Sequence, residues 1–121
     1  MKVLLSIKPE FVEKIINGEK KFEYRRRIFK KNVESVIIYA TSPWKRIIGE
    51  FFIEEILVEE PNTLWIKTFL FSGVEKDFFM NYFKDANIGY AIKIGNLILY
   101  ERPLNLENFV KYPPQSYAYI H

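Results

Sequence analysis

The chain has 121 residues, the usual size of one domain, and 49% apolar with 17% aromatic content excludes a disordered or purely solvating segment. It has no cysteine, which excludes a disulfide scaffold, a zinc finger, an iron–sulfur site and a cysteine nucleophile together. The net charge is only +3, yet residues 1–31 carry ten Lys/Arg against four Glu, while residues 32–121 carry eight against eleven acidic side chains. That basic cluster, chiefly Lys20, Lys21, Arg25, Arg26, Arg27, Lys30 and Lys31, suits an anionic partner such as nucleic acid, or is simply a solvated surface. No apolar run reaches the roughly 18 residues that span a membrane. The opening apolar stretch is interrupted by Lys8 and does not read as a signal peptide, so a cytoplasmic location is expected.

Taken in chain order, residues 2–8 read as a strand with Val3, Leu5 and Ile7 on one face. Pro9 suits a helix's first turn, and Phe11, Val12, Ile15 and Ile16 repeat at helical spacing before the Asn17-Gly18 stop. Residues 21–27 alternate, with Phe22 and Tyr24 on one face and Glu23, Arg25 and Arg27 on the other. Residues 33–40 form a β-branched run expected to be a buried strand, broken by Thr41-Ser42-Pro43. A long strand follows over 47–58, with Gly49 at a bulge. Residues 61–71 switch to helical period, capped by Asn62 or Thr63, with Leu64, Trp65, Phe69 and Leu70 on the apolar face. A second short helix is predicted over 76–83. Residues 88–94 and 97–100 read as two strands joined by a Gly95-Asn96 hairpin turn. Pro113-Pro114 precedes a final strand over 116–120. The pattern predicts an α+β chain that is mainly β: a small curved barrel with a helix after its first strand and a two-helix insertion, forming a single domain over residues 1–121.

The most informative segment is Gly18-Glu19-Lys20-Lys21-Phe22-Glu23-Tyr24-Arg25-Arg26-Arg27. Residues i and i+2 on a strand are roughly 7 Å apart, so Glu23 and Arg25 can grip one ligand together. Arg offers a planar fork for phosphate or a guanine edge, and Glu accepts from an exocyclic amine. The other reading of the same pair is an exposed, self-neutralising Glu–Arg contact. Both stay open at this point.

Gly-x-Lys-x-x-Glu-x-Arg, carried by Gly18, Lys20, Glu23 and Arg25, resembles the signature of the ASCH domain, a PUA-like family. The resemblance extends in order over about 115 residues, through Ser6-Ile7-Lys8-Pro9, Tyr39-Ala40-Thr41-Ser42-Pro43, Gly49-Glu50-Phe51, Leu64-Trp65, Ser72-Gly73, Tyr82-Phe83, Tyr90-Ala91-Ile92 and Pro113-Pro114-Gln115-Ser116-Tyr117. It is most similar to the group described as transcriptional regulators. The resemblance implies a PUA-like barrel with a cleft beside the first helix, used by relatives for RNA or nucleotides. It further implies that Lys20, Glu23 and Arg25 line that cleft, with Thr41-Ser42-Pro43 and Pro114-Gln115-Ser116 on its rim.

One enzymatic branch of the family removes the acetyl group from acetylated cytidine with a lysine, a threonine and a glutamate. Lys20 matches the lysine, but Glu23 stands at the threonine's position, and Glu75 is only a loose counterpart of the glutamate. A carboxylate there would lead through a mixed anhydride, so the departure argues against amidohydrolysis. Another branch is a metal-dependent ribonuclease. Here Glu23 is the lone metal-type ligand of the cleft and His121, the single histidine, ends the chain, so neither metal nor cofactor is expected. Trp44, between Pro43 and the cations Lys45 and Arg46, stacks a base or plugs the barrel end. The other aromatics, from Trp65 to Phe83, read as the core of the insertion. The expectation is therefore a module that binds RNA or a nucleotide. Lys20, Arg25 and Arg27 would meet phosphate, Glu23 would hold Arg25 or a base, and Ser42, Trp44, Gln115 and Ser116 would add contacts. The alternatives are a hydrolase on a modified nucleoside or a ribonuclease, with Lys20 and Glu23 as acid and base, and a protein-interaction adaptor built on the aromatic insertion.

Overall fold

Val3, Leu5 and Ile7 alternate with Leu4 and Ser6, and in the computed structural model, which describes residues 1–121, both faces of this first strand are covered. Strand β1 (Lys2–Ile7) turns Val3, Leu5 and Ile7 into the main core, while Leu4 joins Ile37, Tyr39 and Ile47 beneath the opposite face. Pro9 opens helix α1 (Pro9–Ile16), whose Val12 and Ile15 seal the main core. Strand β2 (Phe22–Arg25) follows, then β3 (Ser35–Ala40), which pairs in parallel with β1 across the α1 crossover. Strands β4 (Arg46–Glu59) and β5 (Gly89–Leu104) form a long antiparallel ribbon, and β6 (Tyr117–Ile120) closes on β1. The order across the curled six-stranded sheet is β2-β5-β4-β3-β1-β6.

Between β4 and β5 lie α2 (Pro61–Thr68), one 3-10 turn (Phe69–Phe71) and α3 (Lys76–Tyr82). This is the expected two-helix insertion. Its own small core joins Leu64, Phe79 and Phe83 to Phe22, Tyr24 and Ala91 of the sheet. It thereby presses α3 against the end of β2 and α1.

Four sequence expectations are corrected by the structure. Gly95-Asn96 does not turn a hairpin. The two predicted strands are one continuous β5, because both halves pair with β4 and neither pairs with the other. Gly95 instead permits close approach at an irregular register, where a Cβ would stand 2.8 Å from the Phe52 carbonyl oxygen. Helix α2 is not capped by Asn62 or Thr63: it begins at Pro61, which needs no N–H partner, with Glu60 as the flanking residue. Because α2 stops at Thr68, Phe69 and Leu70 fall off its apolar face into solvent. Finally, β2 ends at Arg25, so Arg27 lies in the following bend and does not share a strand face with Glu23 and Arg25.

Gly49 does sit at a bulge, where the β4–β5 register shifts. A Cβ there would meet the Ile98 carbonyl oxygen at 2.4 Å, and backbone cannot yield as a flexible side chain can. Gly49→Ala is therefore expected to destabilise the fold by about 1–3 kcal/mol, read as a lowered denaturation midpoint in urea; an unchanged midpoint would show that the ribbon shifts freely at this bulge.

Candidate functional site

Asn17 and Gly18 end α1, with Gly18 at φ +85°, and the chain folds back on itself. The Lys20 backbone N–H donates to the Lys14 carbonyl, and Lys20 pairs as an isolated bridge with Ser72. This corner drives the Lys20 side chain inward, where it is 3% exposed. Its Nζ donates to the Ser72 carbonyl at 2.9 Å and lies 4.7 Å from the Tyr24 ring centre and 5.3 Å from that of Phe11. Lys14 Nζ donates to the next carbonyl, that of Gly73, at 3.0 Å. Gly73 has φ +68°, and a Cβ on it would stand 2.5 Å from the Lys20 Cβ, so only glycine fits above the buried lysine.

Burial holds the Lys20 ammonium down to a pKa of about 8 from 10.5; Glu23 opposes that shift, and the cations Lys14 and Arg25 reinforce it. Glu23 and Arg25 lie on one face of β2, and Arg25 Nη2 donates to Glu23 Oε2 at 2.9 Å. The same Nη2 reaches the Ser6 carbonyl at 3.0 Å, and Nη1 reaches the Ser116 carbonyl at 3.3 Å. Arg25 Nε is buried and has no hydrogen-bond partner. Tyr24, on the other face, shares a 2.7 Å hydrogen bond with Thr68, and burial pushes its hydroxyl up to about 12.

These groups surround one cavity of about 190 Å³. Ser6, Ile7 and Lys8 at the end of β1 form one side, Phe11 of α1 another, and Val74, Phe78, Phe79 and Tyr82 the wall contributed by the insertion. Lys20, Glu23 and Arg25 are its charged lining. At its margin the Arg26 guanidinium lies over the Tyr82 ring at 4.9 Å. The arrangement offers an acceptor, a fork of donors and a partly discharged amine between aromatic walls.

The structure thus brings together Lys20, Glu23 and Arg25, while the other sequence candidates stand apart from the cavity. Arg27 is exposed in the bend after β2. Ser42 and Trp44 lie in the β3–β4 loop, where the Ser42–Pro43 peptide is cis and Trp44 is 36% exposed. Gln115 is exposed, and Ser116 contributes its carbonyl to Arg25. Glu75, the residue before α3, is exposed and does not line the cavity. Sequence reasoning missed Ser6, Phe11, Tyr24, Phe78 and Tyr82 as lining residues. Phe11 and Phe78 looked like ordinary core positions on helical spacing; their edge-to-face contact at 5.5 Å is a wall of the cavity. No three His, Asp or Glu side chains converge as metal ligands, and no helix is long and apolar enough to cross a membrane.

A family model for the ASCH domain matches residues 5–100. The chain belongs to the ASCH domain family. A protein of Zymomonas mobilis named an ASCH domain-containing ribonuclease is 31% identical, over 97% of this chain and 82% of its own. The crystal structure of ASCH from the same organism superposes with a TM-score of 0.90 at 29% identity, covering 99% of this chain and 87% of that one. The ASCH fold, a curled PUA-like half-barrel with this insertion, is therefore the fold seen here. The chain is also similar, at 26% identity over 98% of its length, to 15% of the ATP synthase subunit alpha of Ureaplasma parvum.

The Lys20 geometry generates a pH-dependent stability. A lysine that loses its proton near pH 8 in the folded ASCH domain but near 10.5 when unfolded binds fewer protons in the folded state between those values, so its contribution to stability rises with pH across that window. Relative to a Lys20→Met variant, which removes the titration, the wild type is expected to gain about 2–3 kcal/mol between pH 7 and pH 10. Paired urea denaturation curves measure the difference. A gap that stays constant with pH would place the ammonium in contact with water.

Proposed function

We propose that this ASCH domain is an RNA-binding module whose cavity takes one unstacked base. The observation that carries the reading is a Glu23–Arg25 pair and a buried Lys20 set between aromatic walls in a cavity of about 190 Å³. A cavity of roughly 150 Å³ accepts a benzene ring, so this one suits a single base, with its sugar at the mouth. Glu23 accepts from an exocyclic amine, while Lys20 and the free Arg25 Nε donate to ring nitrogen or carbonyl acceptors. Phe78, 45% exposed and facing the cavity, supplies a stacking surface. The sugar–phosphate chain then lies outside, where Arg26 and the run Arg27, Lys30 and Lys31 stand in solvent. The related Zymomonas protein named a ribonuclease supports RNA as the polymer. Ser42, Trp44 and Gln115 are not needed for this reading.

Removing the Phe78 ring is expected to weaken binding of single-stranded RNA by about fivefold to a hundredfold, with the fold retained because the side chain is half exposed. Fluorescence anisotropy on labelled oligonucleotides measures this. In the same assay, affinity falls with salt at a log–log slope of about −0.7 per phosphate met, and replacing Arg26, Lys30 and Lys31 together flattens it. Salt-independent binding, or full affinity without Phe78, contradicts the reading.

A second reading has its own observation. A lysine whose pKa lies near 8 is a competent base at neutral pH, and the ribonuclease name of the relative directs attention to cleavage. In that reading neutral Lys20 takes the proton from a 2′-hydroxyl as its oxygen attacks the adjacent phosphate; the P–O5′ bond breaks, a 2′,3′-cyclic phosphate forms, the departing 5′-oxygen takes a proton from solvent, and Arg25 stabilises the charge developing on the phosphate. Cleavage is then expected to rise with pH up to about 8, level off above it, and vanish in Lys20→Ala. Gel analysis of labelled RNA over a pH series decides it; undiminished cleavage by Lys20→Ala assigns the activity elsewhere.

A further inference from the structure

Two further concavities follow from the cavity in series, each sharing lining residues with the one before. The first shares Lys20 with it and adds Lys21, Lys93, Gly95 and Asn96, with Glu54 as its single carboxylate. The second, about 370 Å³, shares Lys21 and Lys93 with the first and continues along Lys67 and the 3-10 turn. Its lining holds three lysines and no acidic residue.

Along this last stretch Phe69 and Phe71 are 49% and 42% exposed, although Phe79 and Phe83 of the insertion are buried. They are held outward by the 3-10 turn, which the Lys21 N–H fastens to β2 through the Phe71 carbonyl at 2.8 Å. The Lys21 ammonium sits 4.3 Å from the Phe71 ring centre. Lys93 and Lys67 do have partners, Glu54 at 3.7 Å and Glu59, but both pairs face solvent. Ion pairs of that kind contribute little and exchange readily for a phosphate. Exposed aromatics interleaved with unburied cations are the combination that holds single strands, rings for bases and ammonium groups for the backbone.

We propose that the RNA strand whose base enters the cavity continues over Lys21 and Lys93 and stacks a second base on the shelf of Phe69 and Phe71. The proposal rests on the RNA reading above and adds a direction to it: the strand runs from the cavity along the outer side of β2 to the end of α2. The three lysines and the lack of any carboxylate in the shelf's lining favour a polyanion over an apolar protein segment.

The test is affinity against length, using single-stranded oligouridylates from roughly 2 to 12 nucleotides, the range of single-strand site sizes. Wild-type affinity is expected to climb at least about fivefold with length. The climb disappears in the Phe69→Ala, Phe71→Ala double variant, while the shortest oligonucleotide binds as before. Lys21→Glu with Lys93→Glu tests the same track with both shelf rings left in place and is expected to remove the climb too. A climb that survives in both double variants, or no climb in the wild type, overturns the track and leaves the cavity reading standing. Failure of every RNA to bind overturns the cavity reading and the track together. Self-association of the wild type in sedimentation, lost in the phenylalanine variant, assigns the shelf to a second copy of the chain and overturns the proposal.

Discussion

An ammonium group taken out of water must be compensated on every side, and the burial of Lys20 dictates much of what surrounds it. Ser72 supplies a carbonyl, Tyr24 and Phe11 supply ring faces, and Glu23 supplies the opposite charge. They come from three separate elements: the insertion, α1 and, twice, β2. None could serve without the corner between α1 and β2 that aims Lys20 inward. Gly73 belongs to the same constraint, since any side chain there would occupy the lysine's own space. Compensation is incomplete, which is why the proton is held less tightly than in water.

Arg25 plays a different part. Its guanidinium does not merely neutralise Glu23 but reaches carbonyls at the end of β1 and just before β6. Those two segments are neighbours in the sheet, whereas β2 lies at the opposite edge. One side chain therefore spans the open side of the curled sheet, and the cavity occupies the space this strut helps to keep. The fork geometry matters, because a lysine's single charged atom could not reach three acceptors in fixed directions.

Much of this was legible in the sequence because the physics is local. The alternation of β1, the proline start and glycine stop of α1, and the Gly18–Arg25 spacing each follow from neighbouring residues. Glu23 and Arg25 were legible as a pair for the same reason, whereas the resemblance to the ASCH family is what joined Lys20 to them; all three line the cavity. What could not be read was anything decided by a distant partner. Gly95-Asn96 has the composition of a hairpin turn, yet β4 lies alongside and keeps the strand continuous. Phe11, Phe78 and Tyr82 have core spacing, and only the packing of α3 against α1 shows that they face empty space. Phe69 and Leu70 likewise continue a helical period that the chain abandons at Thr68. Arg27 kept the alternation of β2 in its spacing, but the strand had already ended.

The pairing of the sheet also fixes how the chain must assemble. β1 pairs with β3 on one side and with β6 on the other, so Lys2 stands opposite both Ser35 and Ile120. β2 waits for β5, with Phe22 opposite Lys93. Only the contacts within the helices and the β3–β4 hairpin are local. Loop-closure entropy must be met before these distant pairings return any stabilisation, which places this chain among slow two-state topologies, folding in about milliseconds to seconds rather than microseconds. The cavity is bounded by β1, β2 and the insertion, so it has no precursor in any short segment of the chain. Its walls run from Ser6 to Tyr82, so it is complete only where the first strand and the insertion meet.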